Sequence, residues 1–284
     1  MTYSLSLEPE DRIVTWEPKL IVSDVDGTFL DSRERVSPEL REVVERAGAQ
    51  GVFFALATGR PPRWIYHVLD QLSVRPICVC ANGAVLYDSA SDRVLRAHTL
   101  SPEVLRTVVS AVRENLDCGI AVERSGASAF DHPAELFAVT PGYVHAWQSD
   151  EHGMETENEL LSRPAMKLLL RNDALTANEM YALAAPAIPE ELAHVTFSID
   201  HGLLEVSAPG VNKAAGLQDL AELLGVDPAD AVAFGDMPND VEMLQWAGHG
   251  VAMGNAHEAL KQVADEITTS NNDAGVARIL QRWF

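Results

Sequence analysis

Residues 20–28 read LIVSDVDGT. Residues 20–25 show no polar–apolar alternation, which suits a strand buried on both faces and hence a parallel sheet. Asp24 and Asp26 close this stretch, and Gly27 lets the chain leave it sharply. Carboxylates at the end of a buried strand are costly unless paired or bound to metal. Outward from there, residues 37–49 predict a helix, with Ser37 as N-cap, Pro38 at the first position and Glu39 in the first turn. Residues 51–57 and 76–81 predict further buried strands. Between them Pro61 and Pro62 start a helix with Trp64, Ile65, Val68, Leu69 and Leu72 on one face. Strand–helix alternation of this kind predicts a parallel α/β sheet.

Near residue 85 the pattern changes. Residues 85–88 and 93–98 predict a hairpin, 101–116 a helix and 119–123 a strand. Residues 125–163 are polar and irregular, and the acidic run at 149–159 reads as a solvated loop. Residues 166–171 predict a strand, the region near 175–185 a helix, and those near 194–200 and 202–207 strands. After Pro209-Gly210 the first pattern returns. Asn212 caps a helix that Gly225 ends, and strands at 231–234 and 250–253 alternate with helices at 239–246, 256–263 and 274–283. The expected organisation is a polar extension over residues 1–17, a doubly wound parallel α/β core over 18–87 and 201–284, and an inserted α+β module over 88–200.

The 284 residues carry 21 basic and 42 acidic side chains, a formal net charge of −21. Nucleic acid and anionic membrane surfaces are poor partners for such a chain, because both are gripped by clustered Lys and Arg. An anionic substrate would need a site that supplies its own positive charge. No apolar run approaches the roughly 20 residues of a membrane-spanning helix, and the N-terminus lacks the basic and apolar pattern of a signal peptide. Cys78, Cys80 and Cys118 do not form a disulfide framework and read as reduced thiols of a cytoplasmic protein.

Four segments fall at strand ends or helix starts, the carboxyl edge where ligands bind in open α/β sheets. They are Asp24-Val25-Asp26-Gly27-Thr28, Thr58-Gly59-Arg60, Lys213, and Gly235-Asp236-Met237-Pro238-Asn239-Asp240. The Thr58 hydroxyl and Gly59 N–H sit where a helix N-terminus collects anions. Lys213 in the first turn of its helix opposes the dipole by about 0.3–1 kcal/mol, which makes sense beside an anion. Each segment alone also reads as an ordinary turn or cap. The nine histidines have no metal-ligand spacing, and no Gly-rich loop ends in Lys-Ser or Lys-Thr.

Together, in this order, the four segments resemble those of haloacid dehalogenase-like phosphatases. Asn82-Gly83-Ala84, Leu204-Glu205-Val206 and residues 250–256 (GVAMGNA) are similar to the Cof-type branch. The resemblance spans about residues 18–284, and the middle module matches in placement more than in sequence. Ala214 departs from the glycine usual after the lysine. The resemblance implies a Rossmann-like core with an inserted α/β cap, and a phosphatase of small phosphorylated metabolites, sugar phosphates first. It implies Asp24 as nucleophile forming an aspartyl-phosphate, and Asp26 as general acid and base. Mg²⁺ would be held by Asp24, the Asp26 carbonyl and Asp236, with Asp240 ligating or orienting waters. Thr58, Gly59, Lys213 and Asn239 would hold the phosphoryl oxygens. Asn82 would touch substrate or cap a turn, and Arg60 would touch substrate or link core to cap. A cation is needed on physical grounds: at about 3.5 Å and an effective dielectric near 20, each unit of phosphate charge repels a carboxylate by roughly 5 kcal/mol. Alternatives are a phosphomutase or phosphotransferase on the same fold, and a non-catalytic sugar-phosphate-binding regulator. Monomer and homodimer are both compatible with the sequence.

Overall fold

A computed structural model describes residues 16–144, 151–197 and 201–284. The chain lays down five strands first: β1 (Leu20–Asp24), β2 (Phe53–Ala57), β3 (Ile77–Cys80), β4 (Val85–Asp88) and β5 (Arg93–Ala97). Six follow: β6 (Gly119–Glu123), β7 (Phe137–Val139), β8 (Gly153–Met154), β9 (Lys167–Arg171), β10 (His194–Thr196) and β11 (Leu203–Ser207). The last three are β12 (Ala231–Gly235), β13 (His249–Ala252) and β14 (Glu266–Ile267).

Two sheets result. The larger has the order β14-β13-β12-β1-β2-β3-β4-β5 and the smaller β10-β11-β9-β6-β7-β8. In the larger sheet every pair from β14 to β3 is parallel, and β4 and β5 add an antiparallel edge. β1 is central and buried at all five positions, as its unalternating sequence requires. It separates β12 from β2.

Helices cover this sheet. Pro38–Ala49 starts as expected, with the Ser37 hydroxyl accepting from the Leu40 amide, and buries Leu40, Val43, Val44 and Ala47. Lys213–Leu224 is capped by the Asn212 side chain and stopped by Gly225 in the left-handed conformation (φ 67°). The helix expected after Pro61-Pro62 is broken into a 3-10 turn, Pro62–Trp64, and a short helix, Tyr66–Leu69. Ile65, Val68, Leu69 and Leu72 are buried there, so the apolar face survives the break. The helix expected over 239–246 likewise splits into Pro238–Asp240 and Val241–Trp246.

The smaller sheet has its own core, in which Leu105, Val108 and Val112 of the Pro102–Arg113 helix and Met180 of Ala177–Ala184 pack against Ile120, Leu168, Leu170 and Leu204. The expected boundaries shift. The 85–97 hairpin extends the larger sheet, because β4 pairs with β3. Leu203–Ser207, placed with the core from the sequence, pairs with β9 and β10 in the smaller sheet. The irregular 125–163 stretch contains β7, β8 and the Glu157–Leu160 helix, which Thr156 and Glu159 close with a capping box. Most of the 1–17 extension lies outside the described residues. Trp16 packs edge-on to Trp283, 5.4 Å between ring centroids. No helix among the described residues is long and apolar enough to cross a membrane.

Candidate active site

β1 ends on Asp24, and its neighbour β12 ends on Gly235, with Asp236 next in the chain. Parallel pairing thus delivers both carboxylates to the same sheet edge. The Lys213 side chain, 1% exposed, donates to Asp24 Oδ1 at 2.5 Å and to Asp240 Oδ1 at 2.6 Å. The other Asp240 oxygen accepts from the backbone amides of Asp236 and Met237, both at 3.0 Å. The Thr28 hydroxyl donates to Asp236 Oδ1 at 3.0 Å. Gly27 adopts φ +80°, and a Cβ there would lie 2.3 Å from Asp236 Oδ2. Glycine is required at this turn for both conformation and space.

The Asp24, Asp236 and Asp240 carboxylates bring ligand oxygens within 4.8 Å of one another. Burial pushes the Asp24 carboxyl well above the ordinary range; Asp240 and Asp236 add to this, and Lys213 opposes it. Burial likewise pushes Asp236 up to about 6. For Lys213 burial disfavours the proton, but the Asp24 and Asp240 charges outweigh it and raise its pKa. With all three carboxylates ionised against one ammonium, two negative charges are left uncompensated; burial and this excess raise the Asp24 and Asp236 carboxyls in the absence of a cation. A hard, all-oxygen donor set short of two positive charges fits a divalent cation of the Mg²⁺ or Ca²⁺ kind.

The remaining residues named from the sequence surround this cluster. Asp26 has a side chain 56% exposed and is gripped by Arg60 through Nε at 2.8 Å and through Nη2. Arg60 also contacts His67. The buried Thr58 hydroxyl accepts from the Arg60 amide at 3.1 Å. Asn239 Nδ2 donates to Asn82 Oδ1 at 3.2 Å, and a Cβ on Gly59 would lie 3.2 Å from that same oxygen. Ala81 and Asn82 both hold left-handed backbone (φ 53° and 55°), an arrangement that costs non-glycine residues about 1–2 kcal/mol each.

The smaller sheet closes over this edge. A cavity of about 600 Å³ runs from Asp24, Lys213 and Asn239 to Lys167 and Glu205. A second, of about 280 Å³, continues past Asp26 and Asn82 to Arg63, Trp64, Glu123 and Phe137.

Comparison with known proteins decides the family. The family model for haloacid dehalogenase-like hydrolases matches residues 21–280. This chain is a haloacid dehalogenase-like hydrolase. The 5-amino-6-(5-phospho-D-ribitylamino)uracil phosphatase YitU of Bacillus subtilis is 31% identical over 94% of this chain and 98% of its own length. The HMP-PP phosphatase of Cronobacter sakazakii is 32% identical over 92% of this chain and 94% of its own. A crystal structure of a haloacid dehalogenase-like hydrolase from Bacteroides thetaiotaomicron, 28% identical, superposes with a TM-score of 0.74 over 94% of this chain and 100% of that one. The hydrolase therefore has phosphatases as relatives along nearly its whole length.

Several contacts of this hydrolase were not anticipated from its sequence. One ion pair that links the two units is made by Arg63, whose guanidinium pairs with Glu123 at the end of β6, whereas Arg60 turns to Asp26 and His67. Arg63 also lies 4.8 Å from the Trp64 ring centroid. Lys167 donates to Glu205 Oε2 at 2.5 Å, joining β9 to β11. The available signal was a lone charge in an apolar strand: Lys167 before three leucines, Glu205 between Leu204 and Val206. Such charges are rarely left inside without a task or a partner.

Proposed function

We propose that this hydrolase cleaves small phosphate monoesters with Asp24 as nucleophile and Mg²⁺ as cofactor. The reading is carried chiefly by the buried Asp24–Lys213–Asp240 chain beside Asp236 at the carboxyl edge of the sheet. Asp24 and Asp236, with the Asp26 carbonyl, would hold the ion. Both Asp240 oxygens are engaged, one by Lys213 and the other by two backbone amides. Its part is therefore to fix Lys213 and the 235–240 turn. A bound divalent cation would supply the charge that offsets repulsion between Asp24 and an incoming phosphate.

The chain's own groups do the rest. Lys213 orients Asp24 and faces the phosphoryl oxygens together with Thr58, the Gly59 amide and Asn239. Asp24 attacks phosphorus and forms the aspartyl-phosphate. Asp26, released from Arg60 when substrate enters, takes up a proton from solvent beside the phosphate and gives it to the leaving oxygen as the ester P–O bond breaks. It then takes a proton from the water that attacks phosphorus, which frees Asp24 and inorganic phosphate. The unit from about residue 100 to 207 acts as a cap that closes over the site and limits its water to the one that Asp26 activates. The relatives named for 5-amino-6-(5-phospho-D-ribitylamino)uracil and HMP-PP, together with the cavity size, point to phosphorylated metabolites of sugar or polyol size. The three free cysteines suit a reducing, cytoplasmic setting.

Purified protein with Mg²⁺ is expected to release inorganic phosphate from members of a panel of phosphorylated metabolites. Isomerised phosphate without release would point instead to a mutase. Binding without turnover would point to a regulator.

A further inference from the structure

The proposed phosphatase reading leaves open what the cavity wall selects, and the charges on that wall bear on it. Four cationic side chains line the two joined cavities among the described residues: Arg60, Arg63, Lys167 and Lys213. Each is already matched to a carboxylate: Arg60 to Asp26, Arg63 to Glu123, Lys167 to Glu205, and Lys213 to Asp24 and Asp240. Glu242 adds a further acidic group to the lining. His194 is the one other basic group in the lining among the described residues.

Lys213 and Arg60 stand at the phosphoryl position beside Asp24 and Asp26. Away from it the wall is balanced or acidic among the described residues, because Arg63 and Lys167 are both paired and no further cation there is left for a second anionic group. Its apolar parts, Trp64, Phe137, Met166 and Leu169, offer flat, weakly polar contact. We infer that the cavity acts as a charge filter: it takes monoesters whose leaving group is neutral or carries an amine, rich in hydrogen-bond donors, and rejects leaving groups that carry a carboxylate or second phosphate. Glu205 sets the filter and Lys167 tempers it. Carboxylates accept hydroxyl and ammonium donors readily and repel like charge in a partly desolvated cleft.

The test compares kcat/KM at pH 8 with Mg²⁺ for size-matched esters. Glucitol 6-phosphate and gluconate 6-phosphate differ only at C1, and glucose 6-phosphate and glucosamine 6-phosphate only at C2; fructose 1,6-bisphosphate adds a second phosphate. The gluconate ester and the bisphosphate are expected to be at least tenfold poorer than the neutral esters, with glucosamine 6-phosphate equal to or better than glucose 6-phosphate. Glu205→Gln should raise the gluconate-to-glucitol ratio at least fivefold, and Lys167→Met should lower it. Opposite movements in two variants cannot come from a shared loss of folding. Equal efficiency on all esters, or a ratio unmoved in both variants, overturns the filter and leaves the phosphatase reading standing. No release from any ester would overturn both.

Discussion

At Lys213 one ammonium meets two carboxylates, 2.5 Å from Asp24 and 2.6 Å from Asp240. All three groups are buried, so removing the cation strands two charges in the interior. Lys213→Met is expected to lower stability by about 3–5 kcal/mol in metal-free protein, read by denaturant unfolding, with part of the loss recovered on adding Mg²⁺. Asp236 gives a pH prediction. Its carboxyl is held up to about 6 by burial, above its unfolded value, so the folded metal-free protein binds this proton more tightly than the unfolded chain does. This group's contribution to stability is then present below the ordinary aspartate range and fades as pH rises through about 6. A cation must displace the same proton. The rise in Tm produced by Mg²⁺ is therefore expected to be larger at pH 7 than at pH 5, and to depend less steeply on pH in Asp236→Asn, where Asp24 alone of the two retains a raised carboxyl. At this scale the acidic residues and Lys213 were legible in the sequence, because charge beside a buried strand end or at the wrong end of a helix dipole is costly without a partner. The Arg63–Glu123 pair was not: its members are 60 positions apart, and no local rule joins them.

At the scale of elements, the parallel strands and capped helices follow from local sequence. Ser37 and Asn212 cap the helices expected of them, and Ser101 turns out to cap the helix expected over 101–116. The hairpin at 85–97 reads as a hairpin in the sequence, but the expected boundary at 87/88 cuts through it and leaves its second strand with the insertion, whereas both strands join the larger sheet. Its pairing partner is chosen by β3, a strand with an open edge, and not by anything within the hairpin. The turn that follows β3 is the tightest element near the site. Gly83 has φ +98°, and a Cβ there would lie 1.9 Å from the Asn212 carbonyl oxygen. Gly83→Ala would push the 81–83 turn away from the start of the Lys213 helix. An expected loss of at least about 2 kcal/mol, with a rise in KM as Asn82 is displaced, would be read by thermal unfolding and steady-state kinetics.

For the whole molecule, the arrangement that matters is a catalytic edge facing a second sheet across a shared cavity. Arg63 and Glu123 tie the two, with side chains 6% and 9% exposed. Breaking such a pair costs more than replacing it. Arg63→Met alone is expected to destabilise by about 3–5 kcal/mol, and the double change Arg63→Met with Glu123→Leu to recover most of that, in a double-mutant cycle of unfolding free energies. An additive double variant would mean that the two side chains do not act as a pair. The sequence could place the inserted unit and say that it interrupts the core. It could not show which charges the insertion turns inward, since that depends on how the sheets face each other.

The central claim is that Asp24 takes the phosphoryl group. Acid quenching during turnover with Mg²⁺ and a phosphate ester, followed by mass analysis of peptides, tests it most directly. The expected result is one phosphoryl increment on the peptide containing Asp24, absent in Asp24→Asn, whose phosphate release falls by at least about 10³-fold. A phosphoryl group on another residue, or full turnover by Asp24→Asn, would contradict it.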